Sequence, residues 1–516
     1  MRTLLLLFVI GLLPRLAAAA PAFPDRPGPY GVGLRVVQSH DRSRVYPARI
    51  DMVTGSPAQG ERARPIQALV WYPADKQSGA AVDYGGYLRT AATEEQFKRD
   101  GAAIERYVAT WMQENYPVLD AGQAKAALGQ AMLARRDARP LGGRFPVVIY
   151  APGSSMSAHE NADLCEYLAS HGYLVLASAS IGTHTRSMDL DLDGAETQAR
   201  DIAFLLAHAE TLPQADTGHV AAMGYSWGGL ANVLAAARDD RITALVSLDG
   251  SVRYYPATVQ QAASYAAPER LALPMLYLGA RPSTAEAMNR APQNAASYSL
   301  MNAMKYADLY NVTMATMEHA AFQSESLRLG PDARFGDYSR AEALLAHGWM
   351  GRYVRAFLDA YLRGDAAGLA FLRKPPAANA VPPHLLAVDV HFAEGEPPTL
   401  ATLAARYARQ GHQDLEKIYG DMHARDTRFN PDERALIAWG EQFLGRQRHA
   451  EAAEIYRLAT RLYPDSGRAV FYLAMTYDRQ HAREAALEAY RRVLGFWPDQ
   501  AEAKQAIARL EADNNG

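Results

Sequence analysis

The stretch His219-Val220-Ala221-Ala222-Met223-Gly224-Tyr225-Ser226-Trp227-Gly228-Gly229-Leu230 decides the fold. An apolar run, His219–Met223, leads directly into G-x-S-x-G-G and then into the helical pattern Leu230–Arg238. A strand-to-helix turn of this kind holds a serine tightly, with glycine on either side because a side chain there collides with the neighbouring strand or helix. The serine also falls at a helix N-terminus, where free N–H groups and the helix dipole favour a developing oxyanion. The competing reading is a glycine-rich turn that only tightens packing.

Working outward, apolar β-branched runs alternate with helical patterns from about Ile66 to Met317, the rhythm of strands joined by crossover helices in a mostly parallel sheet. The expected strands are Ile66–Tyr72, Pro146–Tyr150, Leu174–Ser178, His219–Gly224, Ile242–Leu248, Met275–Gly279 and Val312–Met317. Tyr30 to Arg64 is expected to supply antiparallel edge strands. Residues 84–140 interrupt the rhythm with an Ala-rich helical segment read as a cap beside a cleft. Tyr338–Arg363 reads as one amphipathic helix ending at Gly364.

A serine hydroxyl needs a base and an orienting acid, and on this fold the chain order is Ser, Asp or Glu, His. The strand Ile242–Leu248 ends in Asp249-Gly250, while the next ends at Gly279-Ala280-Arg281 with only Glu286 near, so Asp249 is the candidate. Glu318-His319-Ala320-Ala321-Phe322 follows the last strand, placing His319 on a loop that can reach the serine. His159 and His184 precede the serine, and His347 reads as helical. The oxyanion donors are expected to be the N–H of Trp227 and, from Ala151-Pro152-Gly153-Ser154-Ser155, that of Ser154, with Gly153 and Ser155 as alternatives.

With these residues in place, the region from about 30 to 365 resembles the α/β-hydrolase fold, and within it the platelet-activating-factor acetylhydrolase and dienelactone-hydrolase-like group. The likeness is carried by Trp71-Tyr72-Pro73, Leu168-Ala169-Ser170-His171-Gly172-Tyr173, the serine turn, the aspartate Asp249 one strand beyond it, and His319 followed by Phe322. It implies an acyl-enzyme ester hydrolase with Ser226, Asp249 and His319 as triad. Pro152 stands where such enzymes often carry His. Serine stands where dienelactone hydrolases proper have cysteine, so their substrate is not carried over.

The remainder of the 516 residues sets the context. Residues 1–22 have the three parts of a secretory signal: Arg2, the apolar run Leu4 to Leu13, and the small residues Ala17 to Ala20. The expectation is an exported, periplasmic or secreted protein with no transmembrane segment after signal removal. The hydrolase domain is expected over 23–370 and a Pro- and Ala-rich linker over 371–399. Over 400–516 the chain repeats itself: Glu433–Ser466 lies on Gly467–Gln500, with Ala452 on Ala486 and Tyr456 on Tyr490. That period resembles tetratricopeptide repeats, whose helix–turn–helix unit recurs every ~34 residues. The repeats offer a surface for a protein partner; a helical appendage without a groove is the alternative.

With 53 Lys and Arg against 56 Asp and Glu, the net charge of −3 calls for no nucleic-acid partner and suits an uncharged or apolar ester. The lone Cys165 excludes an internal disulfide and a thiolate metal cluster. Asp189-Leu190-Asp191-Leu192-Asp193-Gly194 imitates half a calcium loop, but Arg200 occupies the twelfth position, so Asp193 is read as a helix cap. No cofactor or metal is expected. The function expected is a serine esterase; the alternatives are a peptidase of the prolyl-oligopeptidase type and a repeat-mediated binding protein with an ancillary hydrolase domain.

Overall fold

Parallel strands covered on both faces have no solvent side to alternate against, which is why the central strands read as nearly continuous apolar runs. The computed structural model describes residues 23, 25–47, 50–51, 55–57, 60–262, 264–267, 271–281 and 300–512. The signal at 1–22 and Glu286 lie outside the described residues. The strands are β1 (Gly31–Val45), β2 (Ala63–Ala74), β3 (Ala80–Asp83), β4 (Ala131–Arg136), β5 (Phe145–Ala151), β6 (Leu174–Ser178), β7 (Ala215–Tyr225), β8 (Ile242–Leu248), β9 (Met275–Ala280), β10 (Leu309–Met314) and β11 (Leu386–His391). They form one sheet in the order β11-β10-β9-β8-β7-β5-β6-β2-β1-β4-β3. From β10 to β6 every neighbouring pair is parallel.

The helices that matter for the site are α1 (Tyr84–Ala91), α2 (Gly101–Asn115), α3 (Ala121–Leu128), α4 (Ala162–Ser170), α5 (Leu192–Glu210) and α6 (Trp227–Ala236). Because side chains alternate along a strand, the sheet feeds two cores. Val147, Ile149, Val220 and Ala222 pack with Leu205 and Leu206 of α5 and Leu230 and Leu234 of α6. Val148, Tyr150, Ala221 and Met223 pack with Leu164 and Leu168 of α4 and with Met350 and Phe357 of the helix Arg340–Arg363. This last helix starts at the Ser339/Glu342 capping box and stops where Gly364 turns left-handed.

Several expectations are corrected. β1 does pair antiparallel with β2, but it is not an edge: β4 lies beside it and β3 beyond. Those outer strands bracket the helices of the insertion at 84–140, which is therefore not purely helical: Ala131–Arg136, within it, returns to the sheet. Residues 371–399, read as linker, contain β11, which extends the sheet antiparallel to β10. Prolines flank that strand and do not interrupt it, so its ladder donors survive. β10 ends at Met314, short of the expected end at Met317. Met317 is fully buried in the following turn, and its apolar character mimics a longer strand. Finally, α5 is capped by Asp191, which accepts the Gly194 N–H at 2.9 Å, while Asp193 accepts the Thr183 hydroxyl.

The chain divides into two compact units, Met1–Glu394 and Gly395–Gly516. The second is built from the helices Leu400–Arg409, Leu415–Arg425, Glu433–Gly445, His449–Leu462, Gly467–Arg479, Arg483–Phe496 and Ala501–Ala512. Its N-caps Asp432 and Ser466 occupy equivalent places in successive repeats and do the same work, Asp432 accepting the Ala435 N–H and Ser466 the Ala469 N–H. Gly440 lets the fully buried Tyr456 ring lie against the facing backbone: a Cβ there would be 2.5 Å from the ring carbons. Gly440→Val is therefore expected to destabilise this unit by about 1–3 kcal/mol through overpacking. Urea unfolding followed by far-UV circular dichroism measures it, and an unchanged midpoint would show that Tyr456 moves aside.

Candidate active site

The site is set by ladder register. Gly224 at the end of β7 pairs with Ala151 of β5 on one side and Ser247 of β8 on the other, and Tyr225 pairs with Leu248. Leu248 in turn pairs with Leu278 of β9. The carboxyl ends of four adjacent strands are thus level, and the residue that follows each strand emerges at the same edge.

Ser226 sits between β7 and α6 with φ 51° and ψ −120°, a conformation costing about 1–3 kcal/mol for a residue with a Cβ. Three backbone hydrogen bonds hold it there. Ser226 N–H donates to Leu248 O at 3.1 Å, and the N–H groups of Ser251 and Gly229 donate to Ser226 O at 2.7 and 3.0 Å. Close packing demands glycine at 228, where a Cβ would fall 2.0 Å from the Ala151 carbonyl oxygen.

Asp249 follows β8, is almost wholly buried and also has positive φ, 44°. Its Oδ1 accepts the Ala280 N–H at 2.9 Å and the Tyr254 hydroxyl at 3.0 Å, and its Oδ2 lies 2.5 Å from His319 Nδ1. Nε2 of His319 lies 3.0 Å from Ser226 Oγ. An ionised carboxylate can only accept, so Nδ1 carries the proton and Nε2 presents its lone pair to the serine hydroxyl. The ring is half exposed and stacks on Tyr225, with centroids 4.8 Å apart. Burial pushes the Tyr225 phenol up, so it stays protonated and donates to the His319 carbonyl at 3.1 Å. Sequence reasoning missed this support; the x of G-x-S-x-G carries no signal by itself.

The structure thus brings Ser226, Asp249 and His319 together and leaves the rival histidines apart. His159 and His347 are fully buried, and burial lowers their pKa to about 3 and about 4. Nδ1 of His347 is 2.9 Å from the Ala321 carbonyl, a packing role. His184 is exposed on the loop before α5.

On the oxyanion side, Trp227 is the first residue of α6, so its N–H has no intrahelical acceptor. The Gly153 N–H is engaged by Glu160 Oε2 at 3.0 Å. Ser155 adopts φ 64°, and its hydroxyl accepts the Met188 N–H. The Ser154 N–H meets no protein acceptor among the described residues. Glu160 and its neighbour Asn161 were not singled out from sequence, because partners such as Phe322 and Ser324 belong to a distant segment of the chain.

The insertion packs beside this edge. Glu94, just after α1, accepts the Ser157 hydroxyl and the Ala158 N–H, and Tyr116 donates to Glu325 at 2.9 Å. Between α1, α2 and α3 lies a cavity of about 840 Å³ lined by Val108, Met112, Tyr116 and Leu128 among others. None of the three site residues borders it, so it is not where an acyl group would meet the serine.

A family model of X-Pro dipeptidyl-peptidase, the S15 family, matches residues 65–375. The chain belongs to the S15 family. It is thereby a hydrolase of the serine class on an α/β-hydrolase fold. No curated protein matches this S15 chain. Among solved structures it is similar to a ferulic acid esterase from Streptomyces cinnamoneus, at 21% identity and TM-score 0.48, over 70% of this chain and 98% of that one. The matched residues 65–375 contain the whole serine, aspartate and histidine arrangement and all of the parallel strands from β5 to β10. The finer likeness to the platelet-activating-factor acetylhydrolase group rests on the local motifs alone.

Gly228→Ala tests the close packing behind the serine. It is expected to lower the melting temperature and to slow labelling of Ser226 by a fluorophosphonate at least tenfold, since the β5 loop and the turn cannot both keep their places. Labelling at the wild-type rate would show that the 2.0 Å approach relaxes freely.

Proposed function

We propose that this protein is an exported esterase that cleaves neutral carboxylic esters through an acyl-serine intermediate. The observation that carries the reading is the unbroken hydrogen-bond chain from Ser226 Oγ through His319 to Asp249, 3.0 and 2.5 Å long. In the acylation half, Nε2 takes the Oγ proton as Oγ bonds to the ester carbonyl carbon. The carbonyl π electrons move onto the oxygen, which the N–H groups of Trp227 and Ser154 receive. Asp249 stabilises the imidazolium. Collapse of the tetrahedral species expels the alkoxide, which takes the proton from Nε2. Water repeats the sequence on the acyl-serine and releases the acid.

Family membership raises the peptidase alternative, and the electrostatics around the site bear on it. A dipeptidyl-peptidase must pair the free α-ammonium of its substrate with a carboxylate. Among the described residues, four carboxylates near this edge are engaged: Glu94 by Arg186 at 2.7 Å, Glu318 by Arg281 at 2.8 Å, Glu325 by Tyr116, and Glu160 by Tyr150 and Gly153. Burial also raises Glu160 to about 8 and Glu325 to about 7, which weakens both as ammonium partners at neutral pH. A neutral ester asks for none of them. In the same reading the leader at 1–22 directs export, and the C-terminal helical repeats, of tetratricopeptide type, serve a protein partner.

Ser226→Ala is expected to cut turnover of a short p-nitrophenyl ester by about 10⁵–10⁶. Activity within tenfold of wild type would remove the serine from the mechanism. Wild-type protein is expected to hydrolyse that ester with kcat/KM at least a hundredfold above that for an X-Pro p-nitroanilide. The reverse ranking would establish the peptidase.

A further inference from the structure

Two adjacent residues behind the site, Glu160 and Asn161, tie together the loops that carry the oxyanion donor and the histidine. Both are fully buried in the turn between β5 and α4. The Glu160 carboxyl accepts the Tyr150 hydroxyl at 2.6 Å and the Gly153 N–H at 3.0 Å. Its backbone oxygen accepts the Ser324 hydroxyl and the Glu325 N–H, each at 3.2 Å. Asn161 Nδ2 donates to the Phe322 carbonyl at 2.9 Å and to the Tyr150 hydroxyl at 3.0 Å, and its Oδ1 accepts the Ser324 N–H at 2.9 Å. Phe322 closes the turn that begins at His319. Neither side chain is hydrogen-bonded to Ser226, Asp249 or the His319 ring.

Oxyanion stabilisation depends on N–H groups aimed within a few tenths of an ångström of where the charge develops. A misplacement of about 1 Å costs about 10² in rate. With the Gly153 N–H turned inward onto Glu160, the Pro152–Gly153 peptide plane is fixed, and the next two N–H groups along the chain, those of Ser154 and Ser155, have no protein acceptor among the described residues. A buried Gly153 N–H with no partner is costly and would drive the loop to reorient. On the other side, the two Asn161 bonds to Phe322 and Ser324 fix the chain immediately after His319, whose own backbone carbonyl is held by Tyr225.

We propose that Glu160 and Asn161 are positioning residues that set the distance between the oxyanion loop and the histidine loop, Glu160 through the Gly153 N–H and Asn161 through Phe322 and Ser324. This rests on the acyl-serine reading above. It assigns to a buried acid and amide a role in the transition state that neither performs by contact.

The test compares Glu160→Met, which keeps volume but accepts nothing, with Glu160→Gln, whose side-chain oxygen still accepts the Gly153 N–H. Ser226→Ala is measured alongside. Glu160→Met is expected to lower kcat about a hundredfold with KM within threefold of wild type. It should also weaken a trifluoromethyl ketone, which forms the tetrahedral adduct, in parallel with kcat/KM. Glu160→Gln is expected to recover at least tenfold of the lost kcat. A Met variant with wild-type kcat, a loss confined to KM, or a Gln variant no better than Met would each overturn the positioning role. Should circular dichroism show Glu160→Met unfolded, Asn161→Leu takes its place, with at least a tenfold fall in kcat expected at unchanged KM; wild-type kcat there would overturn the proposal. If Ser226→Ala itself keeps wild-type turnover, it is the acyl-serine reading that fails. If that variant is inactive and Glu160→Met is fully active, only the positioning role falls.

Discussion

The chemistry at this edge depends on the parallel register of β5, β7, β8 and β9. Gly224 stands opposite Ala151 and Ser247 at once, so the residues that follow these strands cannot be displaced singly. A slip of one position would send every apolar side chain of a strand to the opposite core, and both cores are filled. The sheet therefore fixes the serine and aspartate backbones before any side chain of the triad makes a contact. What remains is local: a positive φ at Ser226 and another at Asp249, each held by backbone bonds to the next strand.

That division explains what could be read in advance. The β7 run, the glycines around Ser226 and the Asp-Gly after β8 are contiguous in sequence and carry their geometry with them, as does the regular spacing of the C-terminal helices. His319 is legible only through chain order. The edges of the sheet are not legible. β4 returns after the helices α1 to α3, and β11 lies in a stretch rich in Pro and Ala, because both pair with strands far away in the chain and neither needs a strong pattern of its own. Met317 misled for the opposite reason, being apolar and buried without belonging to a strand.

The support around the triad was least legible of all. Glu160, Asn161, Glu94, Glu325 and Tyr116 lie in four separate segments, and ordinary residue patterns do not mark them. Each is buried with a polar group, which is costly unless partnered, and each has a partner contributed by another segment. A buried polar network of this type rigidifies its surroundings when every member is satisfied. Here the members connect the insertion, the loop after β5 and the segment after His319, which are the irregular parts of the site that the sheet cannot hold.

The same network bears on specificity. Carboxylates committed to holding loops are not available to a cationic substrate, and burial further discourages their ionisation. Recruiting Glu94 to bind an ammonium group would release the partly exposed Arg186 and the Ser157 turn; recruiting Glu160 would release Gly153. Within the described residues, electrostatic demand at this edge is thus met internally, and a substrate that brings no charge disturbs it least.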